Sequence, residues 1–191
     1  ALWLTLETGQ EHYTGFSEFA WFETTACDPK LLKAKWISHP TPNSYFEGRW
    51  ESGTAHKKNE IEESLHYHAV YCLKNIHITK PHNIKRARAL VCGLGLYSFY
   101  INAQKVGEDL LSPAQTDFSV RAFYTVYDIN DVLKKQSSNT ICLVIGNGRH
   151  IKLYGFDKPK GFVQLFIEYQ DGSNELICSD ETWIVGEGPI M

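Results

Sequence analysis

The sequence lacks several features that mark whole classes of protein. Its net charge is -3, its pI is near 6.3, and its basic pairs, Lys57-Lys58 and Lys85-Arg86, stand apart from one another. The sequence therefore lacks the cluster of basic residues that is typical of a nucleic-acid-binding surface. No apolar run approaches the roughly 18 residues of a membrane span. The opening residues, ALWLTLETGQ, lack the charged and long apolar regions of a signal peptide. We therefore expect neither nucleic acid nor a membrane as a partner.

The chain has few cysteines, and no two of them lie close together in the sequence. The five cysteines lie at positions 27, 72, 92, 142 and 178, and the last four lie within apolar, strand-like runs. An odd number without close pairs is not typical of a disulfide framework or a zinc site. The pattern instead predicts reduced, buried thiols that behave as small hydrophobic groups, which favours the cytoplasm.

Aromatic residues are abundant, at 13% of the chain, and apolar residues alternate with polar ones in several segments. In the run from Tyr97 to Ile101, every second residue falls on one face, as in a pleated strand. Asp171-Gly172 separates two further strand-like runs and predicts a hairpin. Helical spacing is limited to one short stretch at 128–134, with Asp128 or Asn130 as its cap. About eight strands with so little helix predict an all-β, antiparallel, jelly-roll-like β-sandwich.

Three regions follow from composition along the chain. Residues 64–191 carry most of the strand-like runs and form the predicted sandwich. Residues 27–63 are rich in polar residues, glycine and proline, which indicates a linker and an exposed loop excursion. Residues 1–26 contain two short strand-like runs that do not fit the sandwich and would be marginal as a separate sheet.

Four segments occur in a characteristic order: GLGLYSFYIN, KVGEDLLSPAQTDF, RAFYTVYDIN and NTICLVIGNG. Their order and spacing resemble the N-terminal β-sandwich domain of bacterial α-L-rhamnosidases. A weaker resemblance extends from Trp36 to Pro189. The family has Asn-Gly where this chain has Asn102-Ala103, and an aromatic pair where this chain has Arg149-His150. These departures put the turn geometry and any stacking by that loop in question.

The resemblance implies how the domains are arranged and which of them carries the catalytic residues. Residues 1–26 would be the last strands of an upstream fibronectin-type-III-like domain. The catalytic carboxylates of α-L-rhamnosidases lie in a later (α/α)-barrel, so no residue of this chain is expected to be catalytic. The parent protein would be a glycoside hydrolase, with the barrel of the same polypeptide as a partner of this domain.

A site for rhamnose-containing carbohydrate is predicted at one end of the sandwich. Asn102 and Asn147 each follow a predicted strand, and their amides could pair with sugar hydroxyls together with His150. Tyr97 or Tyr154 could cover the apolar face of the sugar. The alternative is that both asparagines only close turns.

No resident metal or cofactor is expected from the sequence. Some rhamnosidase sandwiches bind rhamnose through calcium, so calcium stays open as a cofactor. Asp109, Asp117, Asn102 and Asn147 offer suitable oxygens.

Two further motifs have simpler explanations than cofactor binding. His66 and His68 share a strand face, but no third ligand accompanies them, and an exposed strand edge explains them as well. Gly93-Leu94-Gly95 resembles the start of a dinucleotide fingerprint. A strand-like run follows it, where a phosphate site needs a helix N-terminus.

Three hypotheses about function remain. The chain is an accessory domain that assists recognition of rhamnose-containing glycans, a purely structural domain that packs on the catalytic barrel, or an independent enzyme. The third is disfavoured because the sequence shows no nucleophile–base constellation and no metal triad.

Overall fold

The computed structural model of this chain describes residues 29–40, 69–118, 120–133, 138–148 and 158–188. The chain divides into two compact units, Ala1–Leu32 and Lys33–Met191. In the first unit, Pro29–Leu31 forms a single 3₁₀ turn. The predicted remnant of an upstream domain at 1–26 lies outside the described residues, and the predicted domain boundaries stay predictions.

The described part of the second unit is built from antiparallel strands. They are β1 (Ile37–Ser38), β2 (Val70–His77), β3 (Ile84–Leu94), β4 (Leu96–Ile101), β5 (Gln104–Lys105), β6 (Thr125–Asp128), β7 (Ser138–Gly146), β8 (Lys160–Tyr169), β9 (Asn174–Cys178) and β10 (Ile184–Glu187). One sheet has the order β1-β8-β3-β6, with β9 also paired to β8, and the other has the order β10-β2-β7-β4-β5. The two sheets form a sandwich, which confirms the predicted all-β class.

The core lies between the two sheets and follows from the period of two along each strand. Ala89 and Val91 of β3 face inward from one sheet, and Leu143 and Ile145 of β7 face inward from the other; all are fully buried. Burial of a valine, leucine or isoleucine side chain of this kind contributes roughly 1.5–3 kcal/mol. Because a shift of one residue would turn these side chains to solvent, the pattern also fixes the register.

The chain crosses from one sheet to the other at Gly95, between β3 and β4. The backbone there has φ of 123°, and a Cβ on Gly95 would lie 2.1 Å from the carbonyl oxygen of Gly146. Only glycine accommodates both the conformation and the close approach. Gly95 therefore serves the sheet crossing.

Local predictions in the second half of the chain can be compared directly with the structure. The hairpin around Asp171-Gly172 is confirmed, since β8 and β9 pair antiparallel on either side of it and Gly172 has φ of 80°. The predicted helix at 128–134 was wrong for residues 128–133, because Asp128 ends β6 and residues 130–132 form a turn. Leu133 N donates to Ile129 O at 3.2 Å and Asp128 Oδ1 caps Asn130 N at 3.0 Å, while Ile129 and Leu133 are buried in the core. With β6 ending at Asp128, only one turn can form before these two side chains must pack inward.

The strand β1 lies within the 27–63 segment predicted as linker and loop. Ile37 pairs with Gly161 and Ser38 pairs with Lys160, so this short stretch is part of the first sheet. Across the described ranges, no helix is long and apolar enough to cross a membrane.

Candidate functional site

A cleft of about 450 Å³ opens beside β1, at the edge of the sandwich. One wall is the segment with Trp36 and Ser38, and the other is the turn between β9 and β10, with Asp180, Glu181 and Trp183. The cleft therefore combines indole rings with two carboxylates.

Ser179 holds the two walls together. Its Oγ donates to Lys35 O at 2.6 Å, and its carbonyl oxygen accepts from Lys35 N at 2.8 Å. It is also tied to β8, since Val163 N donates to Ser179 Oγ at 3.1 Å and Ser179 N donates to Val163 O at 2.7 Å. Ser179 is fully buried. These four bonds fix the backbone on both sides of the cleft.

Gln164 supports the same wall from the outer face of β8. Its Oε1 accepts from Lys33 N at 2.7 Å and from Ala34 N at 3.2 Å. Because Gln164 is itself buried, the segment leading into Trp36 is attached to the sheet before β1 begins.

Trp36 is held in place and yet accessible. Its ring meets that of Phe162 edge to face, with centroids 5.0 Å apart and an interplanar angle of 81°. Phe162 is buried in the outer face of β8, whereas Trp36 is 45% exposed. The indole is therefore a positioned, solvent-accessible aromatic surface.

The two carboxylates of the cleft are held in their ionised form. Asp180 Oδ1 accepts from Thr182 N at 2.9 Å and from Thr182 Oγ1 at 2.5 Å, and these hydrogen bonds lower the pKa of Asp180. Glu181 Oε2 accepts from Lys35 Nζ at 2.9 Å, which lowers the pKa of Glu181 and raises the pKa of Lys35. Ionised carboxylates of this kind accept hydrogen bonds from hydroxyl groups.

The residues of the cleft suit binding better than proton transfer. A general acid in glycoside hydrolysis needs a carboxyl group whose pKa is raised, so that it carries a proton near neutral pH. The pKa values of Asp180 and Glu181 are shifted the other way. These two residues are therefore hydrogen-bond acceptors at neutral pH.

The asparagines of the predicted site do not come together. Because β4 and β7 are antiparallel, Ile101 faces Ile141 at one end of the pair and Leu96 faces Gly146 at the other. Asn102 and Asn147 lie just beyond opposite ends of this pair, about seven residues or roughly 24 Å apart along the strands at the usual rise. The two asparagines cannot converge, because the C-terminal ends of two antiparallel strands lie at opposite ends of the pair.

Asn102 is engaged within the domain. Its Nδ2 donates to Val132 O at 3.1 Å and to Asn139 Oδ1 at 2.7 Å, and its Oδ1 accepts from Thr140 N at 3.1 Å. Asn102 and Ala103 both have positive φ, 53° and 64°, as a two-residue type I′ hairpin requires. This side chain closes a turn, which is the alternative that the sequence left open.

Tyr97 lies inside the sandwich. It is 4% exposed, its hydroxyl is 3.3 Å from Val91 O and 3.2 Å from the hydroxyl of Tyr127, and burial raises its pKa. Its ring face is therefore not offered to a ligand at the surface. Asn147 is buried. His150 and Tyr154, like the pair His66 and His68, lie outside the described residues.

The oxygens considered for calcium do not form one ligand set, since Asn102 and Asn147 lie at opposite ends of the β4–β7 pair. Asn102 Oδ1 is also engaged by the backbone of Thr140. In the part of the chain that the structure describes, no group of three His, Cys, Asp or Glu side chains could hold a metal ion.

Only weak signals for the cleft are present in the sequence. Trp36 stands before a two-residue strand, and its exposure depends on contacts with β8, far along the chain. Asp180 precedes Thr182 by two residues, a spacing at which a carboxylate caps the following turn. That spacing identifies a rigid turn, but not what lies opposite it.

Known proteins with similar sequences include α-L-rhamnosidases and one of their domain families. The family described as Alpha-L-rhamnosidase N-terminal domain matches residues 82–191. An Alpha-L-rhamnosidase from Formosa agariphila is 29% identical over 178 residues, covering 83% of this chain and 18% of that protein. An Alpha-L-rhamnosidase from Streptomyces avermitilis is 32% identical over 119 residues, covering 58% of this chain and 12% of that protein.

Two solved structures resemble the sandwich. The α-L-rhamnosidase from Dictyoglumus thermophilum has a TM-score of 0.60 and 44% identity, covering 64% of this chain and 14% of that one. The Streptomyces avermitilis α-L-rhamnosidase complexed with L-rhamnose has a TM-score of 0.56 and 30% identity, covering 64% of this chain and 12% of that one. The chain thus spans less than a fifth of these relatives. Because the family match covers more than half of the sequence, the chain belongs to the α-L-rhamnosidase N-terminal domain family.

Proposed function

We propose that this chain is a non-catalytic accessory β-sandwich domain of an α-L-rhamnosidase-like glycoside hydrolase, and that it assists recognition of rhamnose-containing glycans. Hydrolysis would be carried out by an (α/α)-barrel of the same polypeptide. The relatives named Alpha-L-rhamnosidase support this proposal, since they are much longer proteins of which the chain covers 12–18%.

One observation carries the assignment of a binding role. The cleft beside β1 presents an accessible indole and two ionised carboxylates on a rigid backbone. Inverting glycoside hydrolysis instead needs an acid and a base about 6.5–9.5 Å apart, one of them protonated near neutral pH. A cleft with two lowered pKa values is better suited to hold a sugar than to cleave it.

Two measurements on the purified chain test the proposal. Titration calorimetry with L-rhamnose, with and without calcium, should show weak binding, with a dissociation constant on the order of tens of micromolar to a millimolar. The same chain should not hydrolyse p-nitrophenyl α-L-rhamnoside. Turnover that disappears when one of the chain's own acids is replaced would contradict the non-catalytic assignment, and an absence of heat at tens of millimolar sugar would contradict the binding role.

A second candidate function is a purely structural domain that packs on the catalytic barrel. The loop between β5 and β6 favours it, because Leu110, Val120 and Leu111 are 83%, 76% and 72% exposed. Exposed aliphatic side chains of this kind mark surfaces that another protein surface covers. The occupant in this case is the catalytic part of the same polypeptide.

The structural candidate makes its own prediction. Replacing Leu110 and Leu111 by serine should lower the melting temperature of the full-length polypeptide and leave that of the isolated chain unchanged. Equal melting temperatures in both contexts would exclude these leucines from such an interface.

A further inference from the structure

We infer that the cleft between β1 and the β9–β10 turn binds a single pyranose ring of a deoxy sugar, with its apolar face on Trp36 and its hydroxyl groups on the carboxylates of Asp180 and Glu181. This inference rests on the proposed function and names the site, which differs from the one that the sequence predicts.

The size and lining of the cleft fit a small, partly apolar ligand. Its volume of about 450 Å³ lies within the roughly 300–1,000 Å³ typical of small-molecule sites. Ile37 and Trp183 also line the cleft, although both side chains are largely buried, and the charged groups of the lining are Lys35 and the two carboxylates. A deoxy sugar combines an apolar face and methyl group with vicinal hydroxyls, so it matches both kinds of surface.

Trp36 supplies the stacking surface. The edge-to-face contact with Phe162 orients the indole before any ligand arrives, while nearly half of the residue stays accessible. A side chain that is already ordered loses little conformational entropy on binding. Aromatic rings with an exposed face are the usual partners of the C–H face of a flat ligand.

The carboxylates supply directional acceptors. Thr182 holds Asp180 through two bonds that both end at Oδ1. Lys35 holds Glu181 through Oε2. The other oxygen of each carboxylate has acceptor capacity for a hydroxyl group, and Lys35 Nζ can donate to a further ligand oxygen. Pairs of neighbouring hydroxyls on a sugar are recognised by donors and acceptors grouped in this way.

The frame that carries these groups is rigid. Hydrogen bonds between Lys35 and Ser179 link the two segments that form the cleft, and Ser179 is bonded in turn to Val163 of β8. Sites whose supporting backbone is fixed by buried bonds keep their geometry when the ligand binds.

Nuclear magnetic resonance of the ¹⁵N-labelled chain, titrated with L-rhamnose, tests the site. The indole N–H of Trp36 and the backbone amides of 35–38 and 181–183 should shift together as sugar is added. Trp36→Ala should weaken binding at least tenfold, and Asp180→Asn should weaken it severalfold. Trp36→Phe, which keeps an aromatic face, should retain more of the affinity than Trp36→Ala and shows whether the ring itself is needed.

Phe123→Ala is the matched control. Phe123 is 45% exposed, as Trp36 is, but it belongs to the β5–β6 loop and does not line the cleft. The affinity of this variant should equal that of the unmodified chain, and thermal melts should confirm that every variant is folded.

The outcomes separate the site from the function. Rhamnose-dependent shifts confined to other loops, with full affinity in Trp36→Ala, would overturn this site and leave the proposed sugar-binding function standing. No shift anywhere at tens of millimolar rhamnose would overturn both, in favour of the structural domain.

Discussion

Lys35 and Ser179 exchange hydrogen bonds across the edge of the sandwich: Lys35 N donates to Ser179 O at 2.8 Å, and Ser179 Oγ donates to Lys35 O at 2.6 Å. The pair joins the start of the folded unit to the end of β9. It lets two short segments, β1 and β9, share the same edge of β8. The cleft exists because these segments meet there and then diverge.

Replacing Ser179 by alanine should destabilise the fold. The substitution leaves Val163 N without its buried bond to the hydroxyl and removes the part-buried bond to Lys35 O. We expect a loss of about 1–3 kcal/mol in the free energy of unfolding, the usual cost of one unsatisfied buried group. Urea unfolding measures it. Ser98→Ala, at a half-buried position of β4, should change stability by less than about 0.5 kcal/mol; equal effects at both serines would contradict the role of Ser179.

Replacing Asn102 by alanine should lower stability and leave rhamnose binding intact. Its amide joins Val132, Asn139 and Thr140, so the substitution removes three bonds at once. A loss of about 2 kcal/mol or more in the free energy of unfolding is expected, at roughly 0.5–1.5 kcal/mol for each bond. Calorimetry on the folded variant at the same temperature measures binding. Lost affinity with unchanged stability would instead restore Asn102 to the sugar site.

Replacing Ala103 by glycine should stabilise the hairpin between β4 and β5. Ala103 has φ of 64°, a conformation that costs an L-residue about 1–2 kcal/mol and costs glycine nothing. Glycine also has greater conformational freedom in the unfolded chain, and this offsets about 0.4–1 kcal/mol of the stabilisation. A net gain of about 0.5–1 kcal/mol is expected in urea unfolding.

Ala114→Gly is the control for that substitution. Ala114 is exposed and is not among the described residues with positive φ, so glycine there should be neutral or slightly destabilising. A gain at both positions would show that the effect does not come from the turn.

The fold could be predicted further than the site. Alternation from Tyr97 to Ile101 and the glycine after Asp171 are local signals, and local signals fix strands and hairpins. The direction in which strands pair is not local. Asn102 and Asn147 both follow strands in the sequence, yet β4 and β7 run antiparallel and separate them.

Trp36 is a second residue whose role depends on contacts that the local sequence does not show. The indole is positioned by Phe162, and the opposite wall of the cleft is held by Ser179, both far along the chain. Only the pairing of β1 with β8 brings these residues together. A tryptophan next to a short apolar stretch indicates burial as readily as exposure, so the sequence alone does not identify the cleft.

The thiols of Cys72 and Cys92 should react only when the chain unfolds. Both are buried free cysteines, and burial raises the pKa of each thiol to about 12 from an ordinary value near 9. The thiolate is the reactive form, so at pH 8 both should resist alkylation. Iodoacetamide labelling read by peptide mass mapping, with and without urea, distinguishes them from the half-buried Cys142 and Cys178.

The same burial gives the stability of the chain a defined dependence on pH. A folded-state pKa above the unfolded value means that the folded chain keeps these protons longer. The stabilisation is complete below about pH 9 and is lost as the pH rises toward about 12. Unfolding free energies should therefore fall over that interval, and less steeply in Cys72→Ala than in the unmodified chain. Rapid labelling of Cys92 at pH 8 without urea, or equal slopes in the two proteins, would show that these thiols are not buried in solution.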